Sequence, residues 1–294
     1  MIGHLQTIVA ALFPPPRVRF ARERWESPDG DFIDVDFAGH PGAPTLVLFH
    51  GLEGCSDSHY ARSLAAQFPA AGWRIAIPHW RGCSGEPNRK ARAYHSGDSD
   101  EVDWLLRRFA GPVDALGISL GGNALLKWLG ERGADAGVLV RKAAAVSAPI
   151  DLAAAGHALD RGLNRLLYTR MFLATLKPKS LAKLASFPGI YDTARVRRAK
   201  SFREFDDVVT APLHGFRDVD HYWSDASSGP WLERVRVPTL VINARNDPFL
   251  PEHALLAAAR RAAPSVLLEF PRTGGHVGFR SGWLARRLID FFRT

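Results

Sequence analysis

Cysteine is close to absent: Cys55 and Cys83 are the only two in 294 residues, and they form no Cys-x-x-Cys pair. A disulfide framework is therefore excluded, and the usage fits a reducing compartment. Metal-ligand spacing is missing too. None of the 11 histidines falls in a His-x-x-x-His, His-Glu-x-x-His or Cys/His set, so no metal is expected. No dinucleotide cofactor is expected either, because GISLGG (117–122) lacks the Gly-x-Gly start and the acidic residue after the next strand. The N-terminal stretch has no basic start of a signal peptide, and its apolar run from Ile8 to Phe13 is too short to cross a bilayer. A soluble, cytoplasmic protein is the expectation.

What is present is a core-forming composition, 46% hydrophobic and 23% charged, with a net charge of +8. The charge does not spell nucleic-acid binding. RKAR (89–92) and RVRRAK (195–200) are short clusters without interleaved stacking aromatics or a helix-turn-helix pattern. A solvated basic surface is expected, with attraction to anionic lipid headgroups or acidic substrates as the alternative.

Hydrophobic periodicity divides the chain. DFIDVDFAG (31–39) alternates and reads as a half-buried antiparallel strand, paired with RVRFARERW (17–25) across the SPDG turn. TLVLFHG (45–51), WRIAIPHW (73–80), VDALGIS (113–119), KAAAVSAP (142–149), TLVINAR (239–245) and SVLLEF (265–270) are short continuous apolar runs, the pattern of strands buried on both faces. Helical three- and four-residue spacing lies between them, in 59–72, 99–111, 123–133, 252–263 and 282–292. The alternation predicts an α/β fold: a mostly parallel central sheet with N-terminal antiparallel strands and helices on both faces. From Asp151 to Arg236 no buried strand is apparent, only helix-like patterns rich in basic and aromatic residues. This places the two parts of one core at 1–150 and 237–294, with a helical cap inserted at 151–236.

Gly117, Ser119 and Gly121 form a Gly-x-Ser-x-Gly between the strand VDALGI and a helix, where a sharp turn would expose the serine hydroxyl above the C-terminal edge of the sheet. Serine needs a base, and the base needs an orienting acid. In such a fold these follow in the order acid, then histidine. Asp247, in NARNDPFLP, comes 128 residues after Ser119, and His276, in RTGGHVGF, comes 29 residues later. The competing role for Asp247 is to cap the helix at PEHALLAAA; for His276 it is an ordinary loop position. FHGLEG (49–54) suits an oxyanion loop. Its Leu52 N–H would join that of Leu120, with His50 and Gly51 beside the substrate. RGCSGEPN (81–88) is expected to be a turn and pocket wall, and Tyr94, His95 and Asp98 to cap and anchor a helix. Leu166, Leu167, Tyr168, Met171 and Phe172 suggest an apolar acyl pocket.

These motifs, together with GHLQTI (3–8), YHSGD (94–98), SLGGNALLKWLGE (119–131) and REFDDVVTAPLHGF (203–216), resemble the YheT-like branch of the α/β-hydrolase superfamily over nearly the whole chain. That branch includes esterases and membrane-associated eukaryotic lipases. The resemblance implies an α/β-hydrolase fold, an ester substrate and Ser119, Asp247 and His276 as a catalytic triad. Where family members often carry serine this chain has Cys55, expected to alter the pocket lining.

The function expected is hydrolysis of a small-molecule carboxylic ester with an apolar acyl group. A thioesterase, phospholipase or acyltransferase on the same triad is the first alternative, and a catalytically silent binding scaffold the second. No nucleic-acid partner is expected, and oligomeric state is left open. HLQTIVAALF (4–13) is expected to pack on the body, with peripheral membrane contact and subunit joining as alternatives.

Overall fold

Eight strands form one sheet in the computed structural model, which describes residues 1–280 and 282–294. They are β1 (Ala21–Glu26), β2 (Phe32–Ala38), β3 (Thr45–Phe49), β4 (Arg74–Pro78), β5 (Val113–Ile118), β6 (Val140–Val146), β7 (Thr239–Ile242) and β8 (Val266–Glu269), in spatial order 1-2-4-3-5-6-7-8. β2 is antiparallel to β1 and β4; all later pairings are parallel. The continuous apolar runs become strands β3 to β8; β3, β4, β5 and β7 are buried on both sides, whereas β8, at the sheet edge, leaves Leu267 exposed. In β3, Leu46 and Leu48 face one layer while Val47 and Phe49 face the other.

β2 departs from expectation. Its alternating sequence predicts one wet face, yet all seven residues are buried. The polar face is neutralised rather than solvated. Arg22 and Arg24 of β1 grip Asp36 and Asp34 as two-pronged pairs at 2.7–2.9 Å, and His79 and Ser56 also bond Asp36. Burial alone would raise the Asp36 carboxyl, but the Arg22, His79 and Ser56 hydrogen bonds hold it well below the usual carboxylate range.

Helices cover both faces. α1 (Ile2–Leu12) leads the chain; α2 (His59–Ala70) and the C-terminal helix Trp283–Arg293 pack on one side of the sheet, through Leu64, Phe68, Leu288 and Phe292. α3 (Ser99–Leu106) and α4 (Leu120–Arg132) pack on the other, through Val102, Leu105, Leu125 and Leu129. Between β6 and β7 the described residues from Leu152 to Arg234 form helices only, including α5 (Leu152–Leu159), α6 (Arg170–Ser186) and α7 (Val219–Ala226). This insertion has small apolar cores of its own, one around Tyr222 and Trp223 and one around Leu173 and Phe205.

The topology fixes where a ligand can sit. β3 lies between β4 and β5, so the chain leaves β3 toward one edge and then returns to build toward the other. Loops at the C-terminal ends of β3 and β5 diverge at this switch point and leave a crevice, the usual binding position in open α/β sheets. Phe49 pairs with Gly117 in that register, which sets the FHG loop beside Ser119.

Candidate active site

Ser119 occupies the turn from β5 into α4 with φ +52° and ψ −119°, a conformation that costs an L-residue energy and recurs at functional sites. Its N–H donates to Val146 O at 2.8 Å, which locks the turn to β6. The turn is tight because its neighbours have no side chains. A Cβ on Gly117 would lie 2.4 Å from Gly121 O, and one on Gly121 would lie 2.3 Å from Phe49 O. The other non-glycine residues at positive φ among those described, Glu53, Ser147 and Val277, all border this centre.

Ser119 Oγ lies 2.9 Å from His276 Nε2, and His276 Nδ1 lies 2.9 Å from Asp247 Oδ2. The Asp247 side chain is fully buried, and its other oxygen accepts the Phe249 N–H at 2.8 Å. That bond is to the turn following Asp247, not to the start of the helix at Glu252, so the side chain does not cap that helix. Phe249 stacks on the His276 ring with centroids 4.0 Å apart, restricting its rotation.

Two residues of α1 hold the histidine loop. Thr7 Oγ1 accepts the His276 N–H at 2.8 Å; Gln6 Oε1 accepts the Gly274 N–H at 3.1 Å and the Asn246 amide at 2.9 Å. Asn246 Oδ1 in turn accepts the Gly275 N–H at 3.0 Å. The approach is close enough to require glycine on the helix: a Cβ on Gly3 would fall 2.0 Å from Asn246 O. Sequence reasoning expects α1 to pack on the body but assigns it no link to the site. The bonded partners lie 240 or more residues away, and such bonds leave no periodic trace.

The FHG loop is pinned on both sides of Leu52. Gly51 N–H donates to Tyr60 OH and Glu53 N–H to Tyr94 OH, each at 2.9 Å. The amides of Leu52 and Leu120 have no protein acceptor among the described residues. Tyr94, expected at a helix cap, serves this loop instead: its hydroxyl also donates to the Glu53 carboxylate. Asp98 does precede α3, but its carboxylate pairs with Arg92 and makes no capping bond, while His95 Nδ1 accepts the Gly97 N–H in the same turn.

A cavity of about 90 Å³ opens at Ser119 and His276, walled by Leu52, Leu120, Phe172, Phe202, Trp223 and Phe249. It shares Leu52, Ser96, Leu120 and Tyr222 with a larger cavity of about 670 Å³ that runs between α6 and the RGCSGEPN loop, which forms its wall as expected. Lys179 and Glu53 pair at its edge. Three expected substrate contacts are absent from both cavities. His50 is wholly buried, its Nδ1 on Gly51 O and its Nε2 accepting the Trp80 N–H, so no ligand reaches it. Gly51 lies beneath Ser119, where an added Cβ would fall 3.2 Å from the serine Cβ, and Cys55, whose backbone N–H donates to Ser58 Oγ, lines neither cavity. The expected acyl pocket also needs correction. Of its five cap residues only Phe172 lines the cavity; Tyr168 is buried against Phe249, and Leu166, Leu167 and Met171 point to solvent.

Burial sets the histidine protonation around the site. It drives His50, His95 and His214 down to about 3 and His59 to about 4, and the positive charge of Arg92 adds to the effect at His95 and His214. Unfolded, each would titrate near 6.5, so the unfolded chain takes up protons first. Their contribution is fully present above pH 6.5 and drains away as pH falls toward 4, by up to about 1.4 kcal/mol per pH unit for each histidine. Thermal melts should therefore move steadily downward between about pH 7 and pH 5. A flat profile there would contradict neutral burial.

Comparison with known proteins agrees with the fold. The sequence profile of the alpha/beta hydrolase fold matches residues 44–282. The Escherichia coli (strain K12) protein named "Putative esterase YheT" is 39% identical over 99% of this chain and 90% of its own. Phospholipase ABHD3 of Mus musculus is 30% identical over 91% of this chain and 68% of its own. Among solved structures, an esterase from Exiguobacterium antarcticum superposes with a TM-score of 0.63 at 16% identity, covering 93% of this chain and all of the other.

Proposed function

The chain belongs to the α/β-hydrolase family, in its YheT-like branch, and from that premise we propose that it hydrolyses carboxylic esters through an acyl-enzyme on Ser119. The observation that carries this reading is the unbroken hydrogen-bonded chain from Ser119 through His276 to a buried Asp247, at the mouth of an apolar cavity. Serine alone is a weak nucleophile. With its hydroxyl donating to His276 Nε2, the proton passes to the imidazole as Oγ attacks the ester carbonyl. The Asp247 carboxylate accepts the Nδ1–H, fixes the tautomer and stabilises the imidazolium. Charge developing on the carbonyl oxygen is met by the Leu52 and Leu120 amides, which have no other partner. His276 then returns its proton to the departing alcohol, and a water molecule, deprotonated by the same nitrogen, releases the acid.

The helical insertion acts as the cap of this site. Its Phe172, Phe202 and Trp223 favour an apolar group next to Ser119, while the larger cavity behind Tyr222 holds the rest of an extended ester. The names of the relatives, an esterase and a phospholipase, put simple esters and phospholipids on the same test panel. Rates on p-nitrophenyl esters from acetate to palmitate, beside a phospholipid and a thioester, test the reading. Hydrolysis with an optimum at an aliphatic acyl group is expected, and absence of turnover across the panel would reject it.

A further inference from the structure

α1 is inverted relative to an ordinary surface helix, which turns its apolar stripe inward. Its polar residues Gln6 and Thr7 face the protein and bond the histidine loop. Its apolar residues Ile2, Leu5, Val9 and Leu12 recur three or four positions apart and stand 43–67% exposed, and Phe13 beyond them is 77% exposed. A second apolar stretch lies against it. His4 stacks on Tyr168, whose neighbours Leu163, Leu166, Leu167 and Met171 are all exposed. Ten of the thirteen exposed large hydrophobic side chains among the described residues lie in these two segments. Clustering on that scale marks an interaction surface.

Charge says what covers it. Residues 1–22 contain no aspartate or glutamate, and neither do residues 161–191. Arg161, Arg165 and Arg170 are exposed beside the leucines, and none has an acidic side chain within 4.0 Å among the described residues. Apolar side chains fringed by cations, with no acidic residue within either segment, match the headgroup region of an anionic bilayer, where basic groups meet lipid phosphates while leucine and phenylalanine enter the acyl boundary. A protein partner of ordinary mixed charge would not select against acidic residues over both segments.

We propose that α1 and the first turns of the insertion form one docking face that seats the protein on an anionic phospholipid surface. The face lies on the reverse side of the helix that holds His276, so docking and the site share one element. The assignment does not depend on the ester chemistry, since binding is read without turnover.

The full chain is floated with vesicles of phosphatidylcholine alone or mixed with phosphatidylglycerol. Wild-type protein should rise with the mixed vesicles, and several-fold less with the neutral ones or at raised salt. The combined Leu5→Gln, Leu12→Gln and Leu166→Gln variant should lose about tenfold in bound fraction, since the apolar contribution scales with the area inserted. Its melting temperature and its activity toward a water-soluble short ester should stay at wild-type levels. Equal flotation of wild type and variant, or no flotation of wild type, overturns the proposal. So does a wild-type dimer in sedimentation that the variant converts to monomer, because the face would then be covered by a second copy.

Discussion

Ser119→Ala is expected to reduce kcat/KM for a short p-nitrophenyl ester by about 10⁶-fold, while the melting temperature stays within a few degrees of wild type. The size follows from what the hydroxyl does. Without Oγ no acyl-enzyme forms, and His276 and Asp247 have nothing to activate. What survives is the help that the cavity and the Leu52 and Leu120 amides give to direct attack by water. His276→Ala should fall nearly as far, and the double variant little further, because residues that act as a unit do not add. The fold should tolerate the change, since alanine keeps the Ser119 N–H bond to Val146 and removes only a side-chain oxygen. Its φ of +52° is no harder for alanine than for serine. A loss below about tenfold would mean that another group carries the chemistry.

Gly121→Ala should have the largest effect on folding. The added Cβ would lie 2.3 Å from Phe49 O, 2.6 Å from Phe49 C and 2.7 Å from His50 O, all backbone atoms at the end of β3. No flexible side chain is available to yield. Either α4 lifts from the sheet or the FHG loop moves, and both disturb packing between Leu125, Leu129 and the strands. A cost of about 3 kcal/mol or more is expected. For a chain of this size that corresponds to roughly 6–12 °C in melting temperature, or to insoluble protein. Gly137→Ala is the control, as nothing lies within 4 Å of its added Cβ, and it should melt like wild type. Equal behaviour of the two would show that the turn is not closed as described.

Much of this was legible from the order of residues because the physics is local. Strands buried on both faces must be short and apolar throughout, so β3 to β7 stand out; β8 has the same kind of run but lies at the edge with Leu267 exposed. β2 is the exception, because alternation signals a polar face without saying whether water or arginine meets it; Asp34 and Asp36 meet Arg24 and Arg22. Ser119, Asp247 and His276 could be singled out from chain order, since the fold dictates which loops converge. The His50 position could not, because FHG reads the same whether its imidazole faces a ligand or supports the loop from below. The insertion was hardest. Its helical spacing places apolar residues on several faces, and only the packing of Tyr168 and Phe172 on Phe249 turns Leu166, Leu167 and Met171 outward. The bonds from Gln6 and Thr7 to the histidine loop had no sequence signal at all.

In the proposed chemistry Ser119 is a nucleophile made reactive by His276. A fluorophosphonate probe reports this directly, because it phosphonylates an activated serine and leaves ordinary hydroxyls untouched. Peptide mass mapping of the labelled protein should find a single adduct, on the peptide that carries Ser119. The adduct should be absent in Ser119→Ala and should form far more slowly in His276→Ala. A fully folded wild-type protein that takes up no probe, or takes it up at another residue, would contradict the account.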